Sequence, residues 1–495
     1  MSKLSDAERD VFLHGLSDMG GAGQAESESA DKFCARFSPV PEHARAFAPD
    51  STLVIGERGS GKSELFRAAV EFNLLQAIST FVPGVRLPPL ENGKTQWIQG
   101  YPLGAGFPDV AGLQRFIGGG NLKPNEVQNL WFAYLIRILQ PHLAPQDAQA
   151  LTDLLTPQGA EITRIMAAFV KSEEATVLAL DRLDQTLLAQ DRWIFVGYDE
   201  LDTLGGFDWP IMGETISGLI SFWASYSRRW RRIRAKVFMR TDLFRRNSAS
   251  LSADLPKLAA NRADLYWSDR NLYAMLVKRL ANTSDELLQY CQSAKISFKE
   301  RHPQFGWVPI IDRAEAAQSL VTRLIGLYMG ANQNKGLTFN WLLDHIRDGQ
   351  DKAYPRALVR LIEQAAVNEL ESPKAGRDHL LHPTSVRRAI DEVSKLQVKQ
   401  AISNEWPWLE GVKQRIQGES VPMSRRGLEN LLRSNWDKSW SPHEGVRPPT
   451  DDARNLVNFL VELGILRERG GDRLDAPDLY QSGLGLKRKG GVRRY

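Results

Sequence analysis

Between Gly56 and Ser63 the chain places three glycines, a lysine and two serines within eight residues, Gly56-Glu57-Arg58-Gly59-Ser60-Gly61-Lys62-Ser63. Consecutive peptide N–H groups can wrap a polyanion only where no side chain intervenes, and glycine reaches the left-handed conformations that such a wrap needs. A helix opening at Lys62 would point the positive end of its dipole at the same anion. The Lys62 ammonium would reach β- and γ-phosphate oxygens, and the Ser63 hydroxyl would ligate a magnesium ion. The spacing is G-x-x-x-x-G-K-[S/T], and the ligands it implies are ATP and Mg2+.

A phosphate loop of this kind needs an acid at the end of a second buried strand. Trp193–Tyr198, WIFVGY, reads as that strand, and Asp199-Glu200 follows it directly. Asp199 would hold a magnesium-bound water. Glu200, one residue on, would orient the attacking water or take its proton. Asp202 reads as a cap of the following turn rather than a metal ligand. Gly197 interrupts the apolar run and is expected to pack against nothing.

The elements that must position these residues are visible as apolar runs. Leu53–Ile55 precedes the glycine loop; Lys236–Met239 and Leu265–Trp267 read as two further strands. Residues 81–130, rich in glycine and proline, read as an insertion of loops and short elements, and 127–182 as helical. Short apolar strands alternating with helices predict an α/β fold: a P-loop NTPase parallel sheet with helices on both faces. A helical lid and a C-terminal winged-helix-like domain complete it. The expected boundaries are a flexible lead-in over 1–44, the ATPase core over 45–270, the lid over 271–395 and the winged helix over 396–495.

At 495 residues the chain can bury several cores, and 42% hydrophobic with 25% charged residues is ordinary for a globular protein. A net charge of +4 permits a nucleic-acid face without arguing for one. No stretch approaches the roughly 20 uninterrupted apolar residues of a membrane span. The charged opening MSKLSDAERDVF lacks the apolar run of an export signal, and Cys34 and Cys291 alone cannot build a disulfide framework or a zinc site, so a cytoplasmic location is expected. The 8 histidines, His14, His43 and His382 among them, show no metal-ligand spacing.

GERGSGKS and VGYDELD resemble the AAA+ and STAND-type branch of P-loop ATPases, which includes the origin-recognition ATPases; the resemblance spans roughly residues 45 to 395. Two weaker places extend it. VFMRTDLF is similar to the family's first sensor, which implies that Arg240 or Thr241 contacts the γ-phosphate or the lytic water. The family mostly has Asn or Thr there, so the acting residue stays open. AYPRALVRLIEQA is similar to the second sensor, which implies a γ-phosphate contact by Arg356. Arg262 stands where such proteins carry an arginine finger acting on a neighbour's ATP, with Arg245 and Arg246 as competitors, and this implies a homo-oligomer.

Arg228, Arg229, Arg231, Arg232, Arg234 and Lys236 crowd one short stretch beside Phe222, Trp223, Tyr226 and Trp230. It reads as a partly buried helix with an exposed basic end, a nucleic-acid contact being the alternative. Trp406 and Trp408 read as packing anchors. DDARNLVNFLVELGIL followed by a hairpin turning at Gly470-Gly471-Asp472 gives the winged-helix candidate, which could contact DNA or dock on the lid. The tail residues Lys487-Arg488-Lys489 and Arg493-Arg494 could reach phosphates. The first functional expectation is an ATP-hydrolysing switch that controls an effector protein in regulation or bacterial antiviral defence. The second is a DNA-binding ATPase of the origin-recognition or loader type acting through residues 396–495. Intact Lys62, Ser63, Asp199 and Glu200 weigh against a non-enzymatic scaffold.

Overall fold

The computed structural model describes residues 5–20, 29–82, 87–91, 93–101, 109–119, 125–156, 162–204, 209–248, 255–311, 314–374, 376, 378–443 and 445–490. The side chains of Asp202 and Arg246, and Arg493 and Arg494 entirely, lie outside this set. The chain divides into two compact units, Pro39–Tyr266 and a second made of Met1–Ser38 with Trp267–Tyr495.

The first unit is built on five parallel strands, β1 (Leu53–Gly56), β2 (Thr95–Gln99), β3 (Trp193–Tyr198), β4 (Ile233–Arg240) and β5 (Ala263–Asp264), in the order β2-β3-β4-β1-β5. Side chains alternate between the faces of a strand. Leu53 and Ile55, Ile194, Val196 and Tyr198, and Val237 and Met239 therefore share one face. They pack against Trp131, Phe132, Leu180, Leu219 and Trp223 from the helices Glu126–Ile138, Ile162–Ala189 and Trp209–Tyr226. On the opposite face the helix Lys62–Val70 sets Phe66 edge-on to Phe238 at 5.8 Å. Both faces are covered, which is why the strands read as continuous apolar runs.

Three expectations change. β5 lies at Ala263–Asp264 rather than Leu265–Trp267; Leu265 prolongs the register only through its N–H, which donates to the Ile55 carbonyl at 2.7 Å. β2, read as part of a loop-rich insertion, is the sheet's edge strand: Trp97 is buried and stacks on Phe195 at 4.6 Å, while Gln96 and Gln99 face out. Gly197 does have a packing reason, since a Cβ there would stand 3.0 Å from Phe66 and 3.1 Å from Val70. The glycine lets the Lys62–Val70 helix lie close against the sheet beneath the acidic pair.

The second unit is mainly helical. Residues 1–44, expected as a flexible lead-in, contain the helices Asp6–Ser17 and Ala30–Arg36. Ser5 and Glu8 form a capping box at the first of these. Arg9 on the same helix donates at 2.7 Å to Glu369, a fully buried carboxylate on the Pro355–Glu371 helix that also accepts from Ser385 at 2.6 Å and from the Lys374 N–H. Removing Arg9 would take a charged partner from that buried acid, a change that is costly in a buried pair.

The C-terminal part has winged-helix topology: helix Leu409–Ile416, strand Met423–Ser424, helix Arg425–Arg433, helix Ala453–Glu462, then the hairpin Arg467–Arg469/Arg473–Asp475. The hairpin turns through Gly470-Gly471-Asp472, where Gly471 and Asp472 have φ of 77° and 54°. Trp408 is fully buried and Trp406 nearly so, as packing anchors should be. The wing rests on the turn before the Pro355–Glu371 helix. Gly349 N–H donates to the Gly464 carbonyl at 2.6 Å, Gln350 to the Val461 carbonyl at 2.7 Å, and Arg467 to the Asp348 carbonyl at 3.0 Å. The helix Pro383–Asn404 runs unbroken through the expected 395/396 boundary.

Candidate nucleotide site

The glycine loop leaves the carboxyl end of β1, and the helix that follows starts at Lys62 with Gly61 in the left-handed conformation at φ 95°. Gly59 also has positive φ, 77°. A side chain at either position would be strained, and a Cβ on Gly56 would collide with the Ser60 hydroxyl. The loop is therefore a turn of backbone that only glycines at these positions permit, the kind of segment that can wrap an anion. Lys62 Nζ donates to the Gly56 and Glu57 carbonyls at 3.0 and 2.9 Å, which folds its ammonium back over the loop. Ser63, in the first turn of the helix, is exposed.

The sheet brings the acidic pair to the same end. β4 lies between β1 and β3, so Gly56 and Asp199 leave strands two spacings, about 10 Å, apart. Gly197 lies against Phe66 of the Lys62–Val70 helix, and Asp199, directly after the end of β3, is partly buried. Glu200 is exposed and stands in the left-handed region, φ 56° and ψ 29°, with its carbonyl accepting from Thr203 N–H and Oγ1 at 2.9 and 2.7 Å. A non-glycine residue in that region carries strain of the sort found where geometry serves chemistry.

Arg240 ends β4 beside Gly56. It shares the pleat face of Phe238, the face of the Lys62–Val70 helix, and it is buried. Asp242, a residue the sequence reading passed over, grips it with both oxygens: Arg240 Nε donates at 3.0 Å and Nη2 at 2.7 Å. The R-x-D spacing at a strand-to-helix junction was the available signal. Thr241 opens the helix Thr241–Ser248.

Arg262 is half-exposed, paired with Asp264 at 3.0 Å and lying over the Phe244 ring at 5.6 Å. Arg356 occupies the first turn of the Pro355–Glu371 helix, with Pro355 at its start. It belongs to the second unit, whereas the loop, Asp199, Glu200, Arg240, Thr241 and Arg262 belong to the first. One turn further, burial and then the nearby Arg356 charge pull the Arg360 guanidinium down to about 10.

Much of the basic stretch is tied up by the fold, with Arg228 and Arg231 left exposed. Arg229 pairs bidentately with Asp181, and the Asp184 carboxylate accepts the backbone N–H groups of Arg231, Arg232 and Ile233 at 2.9, 2.6 and 3.1 Å. Arg232 lies over Trp193 at 4.3 Å. Lys236 is fully buried and donates to the Ala48 and Ser51 carbonyls; burial holds its pKa well below the usual lysine range.

The parallel sheet, with the glycine loop after β1 and the acids after β3, has the α/β arrangement of a P-loop NTPase fold. No family model matches the chain, and no curated protein matches it in sequence. Among solved structures it is similar to the Aeropyrum pernix ORC2 protein in ADPNP and ADP complexes (13% identity, 89% of this chain and 87% of that one, TM-score 0.37). It is also similar to the Aeropyrum pernix ORC1 protein in complex with DNA (12%, 98% and 91%, TM-score 0.34) and to Cdc6p from Pyrobaculum aerophilum (11%, 87% and 84%, TM-score 0.28).

Among the described residues no helix is long and apolar enough to cross a membrane, and no group of three or more His, Cys, Asp or Glu could hold a metal ion.

Proposed function

We propose that this chain binds ATP with Mg2+ and hydrolyses it as a molecular switch. One observation supports this: the glycine loop follows the carboxyl end of β1 and Asp199 follows the carboxyl end of β3 in the same parallel sheet, with a helix opening at Lys62 directly after the loop. Backbone N–H groups of Glu57 to Lys62 would hold the phosphates, Lys62 leaving the loop carbonyls for the β- and γ-oxygens. Ser63 and Asp199 would hold magnesium, which when bound neutralises phosphate charge. Glu200 would orient the lytic water and accept its proton. Arg240 or Thr241 and Arg356 would read the γ-phosphate. Arg262, half-exposed with its pair to Asp264 at the surface, would serve a neighbouring copy as a finger in a homo-oligomer.

The deciding experiment is Glu200→Gln. ATP should still bind while turnover falls by about a hundredfold or more. Unchanged turnover would remove Glu200 from the chemistry.

Control of an effector protein in the cytoplasm, with antiviral defence as one setting, is the finer reading and comes from the sequence resemblance. Co-purification from the ATP-bound Glu200→Gln protein tests it, and the absence of any ATP-dependent partner counts against it. The second reading, action on DNA, draws on the winged-helix topology, whose Ala453–Glu462 helix leaves Arg454, Asn455 and Asn458 exposed. Against it, Arg467 is spent on the Asp348 turn, Arg469 on Asp475 and Arg425 on Glu468. Salt-sensitive duplex binding by the full chain, weakened by Arg454→Ala, would favour DNA.

A further inference from the structure

At the mouth of the proposed site sits an acid that looks out of place. Asp242 is two residues beyond β4, next to where a triphosphate with its full negative charge would lie, and its side chain is only 9% exposed. A buried carboxylate is tolerated when it is paired and its lone pairs are filled. Here the pairing is side-on: Asp242 takes the Nε and Nη2 hydrogens of Arg240, itself 10% exposed. The guanidinium has a rigid planar fork, so two parallel bonds fix the direction in which its remaining edge points. The backbone sets the other end of the device. Arg240 is the Cα partner of Gly56, the first residue of the phosphate loop, and its side chain leaves the sheet on the face of the Lys62–Val70 helix.

We propose that Asp242 is a positioning residue that holds the Arg240 guanidinium against the terminal phosphate, so that the end of β4 distinguishes ATP from ADP. The proposal rests on the ATPase reading above and deepens it. It also assigns the first-sensor role to Arg240 rather than Thr241. The Asp242 carboxylate serves twice in this arrangement. It keeps Arg240 from swinging onto the diphosphate, and it repels any phosphate that approaches along a path Arg240 does not cover.

The test compares the full-length wild type with Arg240→Ala, Asp242→Ala, Asp242→Asn and the Arg240→Ala/Asp242→Ala double variant. The probes are ADP and a non-hydrolysable ATP analogue in calorimetry, and ATP in steady-state turnover. Each single variant is expected to lower kcat by about tenfold to a hundredfold and to pull the ATP-analogue preference over ADP toward unity. ADP affinity should stay within about twofold, and the double variant should be no worse than either single one, as residues acting as a unit require. Asp242→Asn keeps the shape and loses the charge, so a loss of preference there separates positioning from packing.

The proposal is overturned if Asp242→Ala and Asp242→Asn keep the wild-type preference, or if the two alanine effects add. It is also overturned if ADP affinity and melting temperature fall in step with kcat, which is the signature of a merely structural pair. The affinity ratio needs no turnover, so a wild type that prefers the ATP analogue but hydrolyses nothing would sink the ATPase reading while Asp242 is still judged. A wild type that binds neither nucleotide overturns both.

Discussion

β4 carries basic residues at both of its ends, and the two ends use them in opposite ways. At the amino end several of the cations are met by the fold, while Arg228 and Arg231 stay exposed. Arg229 is held by Asp181, the Arg231–Ile233 backbone by Asp184, Arg232 by Asp191 and the Trp193 ring, and Lys236 by two carbonyls. At the carboxyl end the cationic side chains are few, but the backbone is arranged for an anion: glycines in left-handed conformations, a helix start, an exposed Ser63 and a lysine resting on loop carbonyls. Cation density in a sequence is thus a poor guide to where an anion binds. What matters is whether donors converge on a space that side chains leave open.

The largest effect that sharpens this contrast belongs to Lys62. Lys62→Ala removes one charge-assisted donor, whose ammonium rests on the Gly56 and Glu57 carbonyls, from a part-buried position at the start of a helix. ATP affinity is expected to fall by about a hundredfold or more while the unfolding midpoint stays put. Titration calorimetry beside thermal unfolding reads both quantities. Wild-type affinity in this variant would break the contrast at its stronger end.

Asp184→Ala is the mirror experiment at the amino end of β4. Asp184 is 6% exposed and accepts three backbone N–H groups. Truncation strands those donors where water has little access, so unfolding in denaturant should show a loss of about 2 to 4 kcal/mol. ATP affinity should not move. If affinity falls as far as stability, the two ends of the strand are coupled and the division drawn here is wrong.

The sequence made some parts of this molecule legible and hid others for physical reasons. The loop at Gly56–Ser63 and the strand Trp193–Tyr198 fall where the pattern put them, because their chemistry is local: a dihedral requirement in one, an apolar run buried on both faces in the other. β2 was hard to see because this edge strand buries only Trp97 of its five side chains and lies among glycines and prolines. Gly197 was misjudged since its reason, the approach of Phe66 and Val70, comes from a helix more than a hundred residues earlier. The bond from Arg9 to Glu369, 360 residues apart, left no local trace at all. Asp242 escaped for the opposite reason. Beside an arginine, a single acid reads as routine surface charge until burial shows that it is not.

The smallest effect is expected from Arg229, and it addresses the nucleic-acid alternative for the basic stretch. Its guanidinium makes a bidentate bond to Asp181, but the side chain is 50% exposed, so solvent screens most of the attraction. Asp181 also accepts from Trp230 Nε1 at 3.0 Å, a bond that survives the substitution. Arg229→Gln should therefore cost only about 0.5 kcal/mol near neutral pH. The Arg229 hydrogen bond is the main influence that lowers the Asp181 pKa, against opposing desolvation. A carboxylate whose folded pKa is depressed contributes stability that is present at neutral pH and lost as pH falls through that depressed value. Without Arg229 the depression shrinks, so the gap between wild type and variant should close on acidification. Denaturant unfolding at neutral and acidic pH measures it. If the chain binds duplex DNA at all, the slope of that binding against salt should be the same in Arg229→Gln as in wild type, because this arginine is spent on Asp181 and releases no counterion. A slope reduced by about one would mean that the amino end of β4 meets phosphates after all, and the opposition between its two ends would be lost.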